Sequence, residues 1–190
     1  KKPSMNKEGK LVPLELHGLK VMSIGFMVEN EGALVWRGPM VQTAIYQMLR
    51  DVEWGTETGD LDVLIVDMPP GTGDAQLTMA QKVPVTGAVI VSTPQDLALI
   101  DARKAVEMFR KVNVPVLGII ENMSTYVCSE CGHEEHIFGH GGANHEAHRL
   151  GVDFLGEIPL SRAIRESADE GRVAKHDAYT NICENVLDVL

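Results

Sequence analysis

The chain has 190 residues, of which 44% are hydrophobic, and this length fits one domain with a single sizeable core. We therefore expect residues 1–190 to form one domain. The formal net charge is −10 at pH 7, and no long run of Lys or Arg offsets it. This balance argues against nucleic acid as a partner, because binding to phosphate backbones depends on basic residues. No segment reaches the roughly 20 apolar residues of a membrane span, so no membrane partner is expected either.

The three cysteines do not form the pattern of a secreted, disulfide-linked protein. Their number is odd, and two of them are spaced as Cys128-x-x-Cys131. The first four residues, Lys-Lys-Pro-Ser, lead into no apolar signal segment. We therefore expect a cytoplasmic protein, or one from a similarly reducing compartment, whose thiols serve metal or redox chemistry.

Taken in chain order, short apolar runs rich in β-forming residues alternate with amphipathic runs. The apolar runs predict strands over residues 19–26, 61–67, 87–92, 114–120 and 152–155. The amphipathic runs predict helices over residues 39–52, 96–112, 143–150, 161–170 and 179–190. The alternation is typical of β-α-β units, so we expect an α/β fold with a doubly wound, mainly parallel sheet and helices on both faces.

The second predicted strand ends in Asp67 and is followed by the turn Met68-Pro69-Pro70-Gly71. Ligands of open α/β sheets bind beyond the carboxyl ends of the strands. A carboxylate at this point can hold Mg²⁺ through water, and the N–H of Gly71, which has no side chain, can approach a terminal phosphate. The alternative is structural, because apolar strands often end in Asp and Pro-Pro-Gly makes a rigid turn.

A phosphate-binding P-loop is expected upstream of such a strand, with the pattern Gly-x-x-x-x-Gly-Lys-[Ser/Thr]. The Gly-Lys pair of this chain is Gly9-Lys10, but Leu11 follows it and Ser4 stands where the earlier Gly belongs. We therefore expect a P-loop NTPase-like fold that lacks its first strand and its P-loop. Both are expected to precede Lys1 in a longer protein.

The longest irregular stretch, at residues 123–142, contains the two closely spaced thiols. Cys128 and Cys131 have the spacing of ligands to one metal centre, and the Gly that follows lets the turn close tightly. The third thiol, Cys183, lies in a predicted amphipathic helix, where a small buried apolar residue is the simplest role. One chain therefore cannot complete a four-thiolate site from this loop, whereas two chains related by a two-fold axis can.

Three histidines of the same stretch keep a second interpretation open. His133, His136 and His140 lie close enough in sequence to complete a two-Cys, two-His zinc site within one chain. A dithiol redox pair is a third interpretation. The spacing alone favours zinc and an iron–sulfur cluster about equally, with the redox pair behind them.

Several segments together resemble the Mrp family of iron–sulfur cluster carrier proteins, within the wider MinD-like group of P-loop ATPases. The segments are LKVMSIGF at 19–26, WRGPM at 36–40, DMPPGTGD at 67–74, ENMS at 121–124, the Cys-x-x-Cys loop and FGHGG at 138–142. The resemblance covers essentially the whole chain. It implies a homodimeric ATP hydrolase that binds a [4Fe–4S] cluster between its subunits and delivers the cluster to apo iron–sulfur proteins.

The resemblance also implies roles for residues of the nucleotide site. Asp67 is implied as the magnesium residue and Gly71 as the sensor of the terminal phosphate. Asn122, at the end of its predicted strand, is implied as a contact of the adenine, and Pro159 as part of the base pocket. The alternative for Asn122 is a helix cap or a turn cap, because Asn-Met-Ser follows a strand.

For the metal site, the resemblance implies Cys128 and Cys131 as the cluster ligands and shifts the balance from zinc towards iron–sulfur. ATP hydrolysis is expected of the intact protein, because this chain lacks the P-loop. Two other hypotheses stay open: a non-catalytic interaction domain stapled by Zn²⁺, and a partitioning ATPase. The second usually needs a basic amphipathic end, and the C-terminal residues 183–190 are acidic and apolar.

Overall fold

The computed structural model of the chain describes residues 2–27, 38–55, 59, 61–68 and 73–190. The chain divides into two compact units, Lys1–Met79 and Ala80–Leu190. The expectation of a single domain over residues 1–190 stays a prediction. Within the part that the structure describes, no helix is long and apolar enough to cross a membrane.

The described residues of the first unit include two small hairpins, a 3-10 turn and a helix. Its elements are β1 (Ser4–Met5), β2 (Leu11–Val12), β3 (Leu14–Leu16), β4 (Leu19–Val21), the 3-10 turn Ile24–Phe26 and α1 (Gly38–Arg50). β1 pairs with β2 and β3 pairs with β4, both antiparallel. The helix predicted over residues 39–52 is confirmed as α1.

The strand predicted over residues 19–26 is wrong beyond Val21, and its first part joins a local hairpin instead of a parallel sheet. His17 and Gly18 both have positive φ, which is the geometry of a tight two-residue hairpin turn and pairs Leu16 with Leu19. After β4, the Ser23 hydroxyl accepts a hydrogen bond from the N–H of Gly25 and starts the 3-10 turn. Local turn chemistry therefore overrides the apolar pattern.

The strand predicted over residues 61–67 is also wrong, because residues 61–68 form no strand in the structure. Their side chains are mostly exposed, and Ile65 reaches 88% exposure. A nearly continuous apolar run becomes a central strand when neighbouring strands pair with it and helices cover both faces. Among the described residues, no strand forms backbone hydrogen bonds with this segment. The apolar pattern alone therefore does not make it a strand.

The second unit contains the parallel sheet. With α2 (Asp74–Lys82), which spans the unit boundary, the remaining elements are β5 (Ala88–Ser92), α3 (Asp96–Lys111), β6 (Val116–Val127), β7 (Glu134–Glu135), α4 (Gly142–Leu150), β8 (Phe154–Leu160), α5 (Arg162–Asp169) and α6 (Asp177–Val189). β6 lies in the middle and pairs in parallel with β5 and with β8. The short β7 pairs antiparallel with the last residues of β6. The predicted helices from residue 96 onwards are confirmed, and α2 was not predicted.

Helices cover both faces of this sheet, as the alternation of side chains along β6 shows. Ile120 packs with Leu155 and Ile182 in a core beneath α6. The neighbouring side chains point the opposite way: Ile119 is fully buried, and Glu121 bonds to the start of α4. The predicted doubly wound arrangement is confirmed for the described sheet.

β6 is longer than the strand predicted over residues 114–120, and it has an interruption in its middle. The parallel register with β8 runs to the Asn122–Ile158 pair and resumes at Tyr126–Leu160. Between these pairs Met123 adopts a φ of 58°, in the left-handed region that L-residues rarely occupy. The predicted strand end near Asn122 therefore corresponds to a break in the parallel ladder, after which the strand continues towards the cysteines.

Candidate functional site

The Cys-x-x-Cys loop is the tip of a β-hairpin instead of the irregular stretch expected from the sequence. β6 and β7 pair through Tyr126–Glu135 and Val127–Glu134. Beyond these pairs the N–H of Cys128 donates to the carbonyl of His133 at 2.9 Å, and the N–H of Gly132 donates to the carbonyl of Cys128 at 2.9 Å. Gly132 has a φ of 70°, so the turn uses the conformational freedom of glycine. The hairpin thereby fixes the backbone between the two thiols.

The turn also affects the ionisation of Cys128. The backbone N–H of Glu130, and then the N–H and the thiol of Cys131, lower the pKa of the Cys128 thiol. The positive charge of Arg162 contributes in the same direction. All three cysteines of the chain are free thiols. The loop therefore brings two sulfurs together and favours the thiolate, which is the form that binds metal.

The histidines of the loop do not join these sulfurs. The Nδ1 of His136 lies 3.1 Å from the carbonyl oxygen of Ser124, and its ring centroid lies 4.1 Å from that of His140. Among the described residues there is no group of three or more His, Cys, Asp or Glu side chains that could hold a metal ion. The two-Cys, two-His zinc site that the sequence left open is therefore not assembled within the described chain.

The third thiol differs from its predicted environment. Cys183 was expected to be buried in its helix, but on α6 it is exposed. The buried position of the middle of this helix belongs to the preceding residue, Ile182. The expectation was wrong by one position of the helical repeat, which is enough to move a side chain from the core to the solvent.

The residues implied in base binding lie close in the sheet but not in one cavity. Pro159 lines a cavity of about 480 Å³ at the carboxyl end of β8, together with Ser124 and residues of α6 such as Asn181 and Asn185. Asn122 is not among the residues that line it, and its Oδ1 instead accepts the N–H of Met123 at 2.9 Å. This contact ties the Asn122 side chain to the neighbouring backbone, and the role of Asn122 at the base stays a prediction.

The residues implied in phosphate and magnesium binding lie in the first unit. Asp67 is exposed and stands near the end of the unpaired segment 61–68. Gly71 lies outside the described residues. No acidic or histidine cluster capable of holding a metal surrounds Asp67 in the part of the chain that the structure describes. The described residues do not assemble a magnesium site, so the roles of Asp67 and Gly71 stay predictions.

Glu121 belongs to the ENMS segment at 121–124, and the sequence assigned it no role of its own. The structure shows what its side chain does. The side chain has 0% exposure, and its carboxylate accepts the N–H of Ala143 at 2.8 Å and the N–H of Gly141 at 3.3 Å. Both donors lie at the start of α4, where the chain returns from the Cys loop. The sequence did contain a signal for this role. Glu121 is an acidic residue next to an apolar strand run, and a buried carboxylate needs a hydrogen-bond partner.

A second buried carboxylate joins α3 and α4. Glu146 forms ion pairs with Arg103 at 2.8 Å and with Arg149 at 2.7 Å. The hydrogen bonds from Arg103 hold the pKa of Glu146 below its ordinary value, and Arg149 acts in the same direction. This pair positions the helix that follows the Cys loop.

Comparison with known proteins agrees on one family. A family model described as ParA, NUBPL iron-transfer P-loop NTPase, matches residues 1–190. The iron–sulfur cluster carrier protein of Pseudomonas fragi is 55% identical over 90% of this chain and 58% of its own length. The mitochondrial iron–sulfur protein required for NADH dehydrogenase of Arabidopsis thaliana is 52% identical over 98% of this chain and 61% of its own length. The chain thus spans little more than half of these relatives.

Solved structures give the same result for the fold. The nucleotide-binding protein of Archaeoglobus fulgidus, in complex with ADP and with Co found by PIXE, has a TM-score of 0.76 and 37% identity. That match covers 94% of this chain and 68% of the other. The cell division ATPase MinD of Pyrococcus furiosus has a TM-score of 0.55 at 21% identity and covers 81% of this chain and 60% of the other, a likeness of fold alone.

Proposed function

The chain belongs to the ParA family of NUBPL iron-transfer P-loop NTPases, and from this premise we propose that the intact protein is an ATP-dependent carrier of [4Fe–4S] clusters. The cargo is held by Cys128 and Cys131. The observation that carries the proposal is the paired arrangement of these thiols at the tip of a hairpin whose backbone hydrogen bonds fix the turn between them. Such a turn is suited to binding soft metal ions through thiolates.

Two copies of the chain hold one cluster between them. A [4Fe–4S] cluster takes four thiolates, and one loop offers two. Cys183 lies on α6 and does not belong to the hairpin, so a second loop from a symmetry-related copy supplies the missing pair. A site shared between copies is also suited to release, because separating the subunits leaves each half-site with too few ligands.

Transfer from this site is a ligand exchange. Each bond from iron to a carrier thiolate is replaced by a bond from the same iron to a thiolate of the recipient apo-protein. The recipient thiol loses a proton in the exchange, and the freed carrier thiolate takes one up. No electron is transferred. The lowered pKa of the Cys128 thiol favours its thiolate form, which is the form that leaves the iron.

ATP hydrolysis drives the conformational cycle of the intact protein. In that protein Asp67 would hold Mg²⁺, Gly71 would contact the terminal phosphate, and Asn122 and Pro159 would lie at the base. Pro159 in the wall of a 480 Å³ cavity supports this part of the proposal. For Asn122, binding requires exchanging its present bond to Met123 for one to the adenine. Free thiols suit a reducing compartment such as the cytoplasm.

The decisive experiment is anaerobic reconstitution of the intact protein with iron and sulfide. We expect iron and sulfide in equal amounts, one cluster per two chains, and a shift from monomer to dimer in sedimentation, because a ligand that binds the assembled state stabilises it. Replacing Cys128 or Cys131 by Ser is expected to remove cluster and dimer together. Cys183→Ser is the matched control and is expected to retain both.

Three outcomes contradict the proposal. The Cys128→Ser protein binding a full cluster removes the loop from the site. Loss of the cluster in Cys183→Ser places the site elsewhere. One zinc per chain, without sulfide and without dimerisation, identifies a zinc-stapled interaction domain instead.

A further inference from the structure

His136 joins the wall of the cavity to the hairpin that carries the thiols. It directly follows β7, the strand by which the chain returns from the Cys loop. Its Nδ1 lies 3.1 Å from the carbonyl oxygen of Ser124 and 3.4 Å from the hydroxyl oxygen of Thr125. Ser124 and Thr125 both line the cavity that contains Pro159. One imidazole at the base of the hairpin therefore contacts two residues of the cavity wall.

The contact with Ser124 fixes the tautomer of His136. A carbonyl oxygen can only accept a hydrogen bond, so Nδ1 carries the proton that is donated to it. The ring also lies against that of His140, with centroids 4.1 Å apart, and the carbonyl of His136 accepts the N–H of Gly139 at 3.1 Å. His136 as a whole is exposed. Directional contacts therefore hold this side chain, and replacing it leaves the core intact.

The segment that His136 contacts is the part of β6 that is held least by the sheet. The parallel pairs with β8 stop at Asn122 and resume at Tyr126, and the described residues form no parallel pair between these two points. Within this gap Met123 has a φ of 58°, which is unfavourable for an L-residue. The hydroxyl of Ser124 reaches a carbonyl of β8 at the long distance of 3.4 Å. Residues 123–125 are therefore the part of the strand that a ligand in the cavity can shift with least resistance.

We propose that His136 is a positioning residue that couples occupancy of the cavity to metal binding at the two thiols. A ligand in the cavity acts on Ser124 and Thr125, and His136 transmits the change to the hairpin at the point where β7 ends. The inference rests on the proposed function, in which the base of the nucleotide lies at Pro159 and the cluster lies at the tip of the hairpin. By linkage the coupling is reciprocal, so the cluster changes the affinity for nucleotide by the same factor.

The test measures that factor in the intact protein. The probe is a non-hydrolysable ATP analogue with Mg²⁺, and its dissociation constant is measured by calorimetry for the metal-free and for the cluster-loaded protein. We expect the two constants of the unaltered protein to differ by about fivefold or more. His136→Phe keeps a ring beside His140 but has no donor for Ser124. We expect its two constants to agree within about twofold, because the hydrogen bond that carries the coupling is lost.

Two further variants separate the hydrogen bond from a general disturbance of the hairpin. In His136→Asn the amide nitrogen can take the place of Nδ1 and donate to Ser124, so this variant is expected to restore most of the factor. His133→Phe is the matched control, because His133 is exposed in the same hairpin and the contact it makes with Cys128 uses only its backbone carbonyl. We expect its factor to equal that of the unaltered protein.

The outcomes distinguish the inference from the proposed function. If the unaltered protein shows the factor and His136→Phe keeps it, the inference is wrong and the proposed function stands. The inference is also wrong if His133→Phe or His136→Asn loses the factor as completely as His136→Phe does. If His136→Phe takes up no cluster, His136 acts on the thiols without the cavity, which overturns the coupling as well. An unaltered protein that takes up no cluster at its thiols contradicts the proposed function itself.

Discussion

Replacement of Glu121 tests how the Cys loop is anchored to the sheet. Its carboxylate is fully buried and accepts two backbone N–H groups at the start of α4. Glu121→Gln keeps the shape and one acceptor oxygen, but it places an NH₂ group against one of these donors. Glu121→Ala removes both acceptors and leaves a cavity.

The expected magnitude follows from the two hydrogen bonds. A buried donor without a partner costs about 1–3 kcal/mol, and a negative charge at a helix N-terminus contributes roughly 0.5–2 kcal/mol when it is buried. We expect Glu121→Gln to lower the free energy of unfolding by about 2–3 kcal/mol. Glu121→Ala is expected to lose about 3–5 kcal/mol, because both donors are orphaned and the cavity adds to the loss.

The assay is urea denaturation of the intact protein, combined with hydrogen exchange of the amides of Gly141 and Ala143. The matched control is Glu157→Gln. Glu157 faces Glu121 directly in the register of β6 and β8 but is exposed, so its replacement is expected to change stability by less than about 0.5 kcal/mol. The reasoning is refuted if Glu121→Gln changes the free energy of unfolding by less than about 0.5 kcal/mol, or if Glu121→Gln and Glu157→Gln lower it by the same amount. It is also refuted if the amides of Gly141 and Ala143 exchange at an unchanged rate in Glu121→Gln.

Three further changes follow from the same structure. In Gly142→Ala the added Cβ meets the carbonyl oxygen of Pro94 at 2.5 Å, so thermal denaturation is expected to show a loss of roughly 1–3 kcal/mol, and an unchanged melting temperature contradicts the packing described. Glu146, whose pKa Arg103 holds below the ordinary value of 4.5, contributes stability above that value and loses it as pH falls through the folded pKa. Glu146→Gln is therefore expected to cost about 1 kcal/mol at neutral pH and nothing in acid, measured by denaturation across pH. In the intact protein, Asp67→Asn is expected to slow ATP hydrolysis about tenfold to hundredfold in a phosphate-release assay, and unchanged turnover removes Asp67 from the mechanism.

The sequence predicted best the elements whose signals are local. The helices α3 to α6 begin and end within about two residues of their predicted bounds, because amphipathic periodicity and capping residues such as Ser161 act within a single element. The two free thiols of Cys128 and Cys131 likewise lie in one short turn, so their closeness follows from local sequence. For the same reason the hairpin His17–Gly18 overrode the apolar pattern of residues 19–26, since a tight turn with two positive φ values is a stronger local determinant.

The features that the sequence did not predict depend on contacts between distant residues. Residues 61–67 have the apolar pattern of a central strand, but a strand requires neighbours, and a pattern within one segment does not supply them. Glu121 meets Ala143 across 22 residues, and the register that pairs Tyr126 with Leu160 spans 34 positions of sequence. Neither distance can be read from spacing alone.

The Cys loop and the cavity at Pro159 are both products of the sheet edge formed by β6 and β8. The two strands are parallel, so their carboxyl ends lie together, and ligands of open α/β sheets bind at such edges. Ser124, just beyond the break at Met123, lines the cavity, whereas Cys128 lies four residues further along the chain, directly after the end of β6. Since a strand rises about 3.3 Å per residue, these positions are separated by about 13 Å of continuous backbone. One continuous stretch of backbone therefore joins the wall of the cavity to the turn that holds the first thiol.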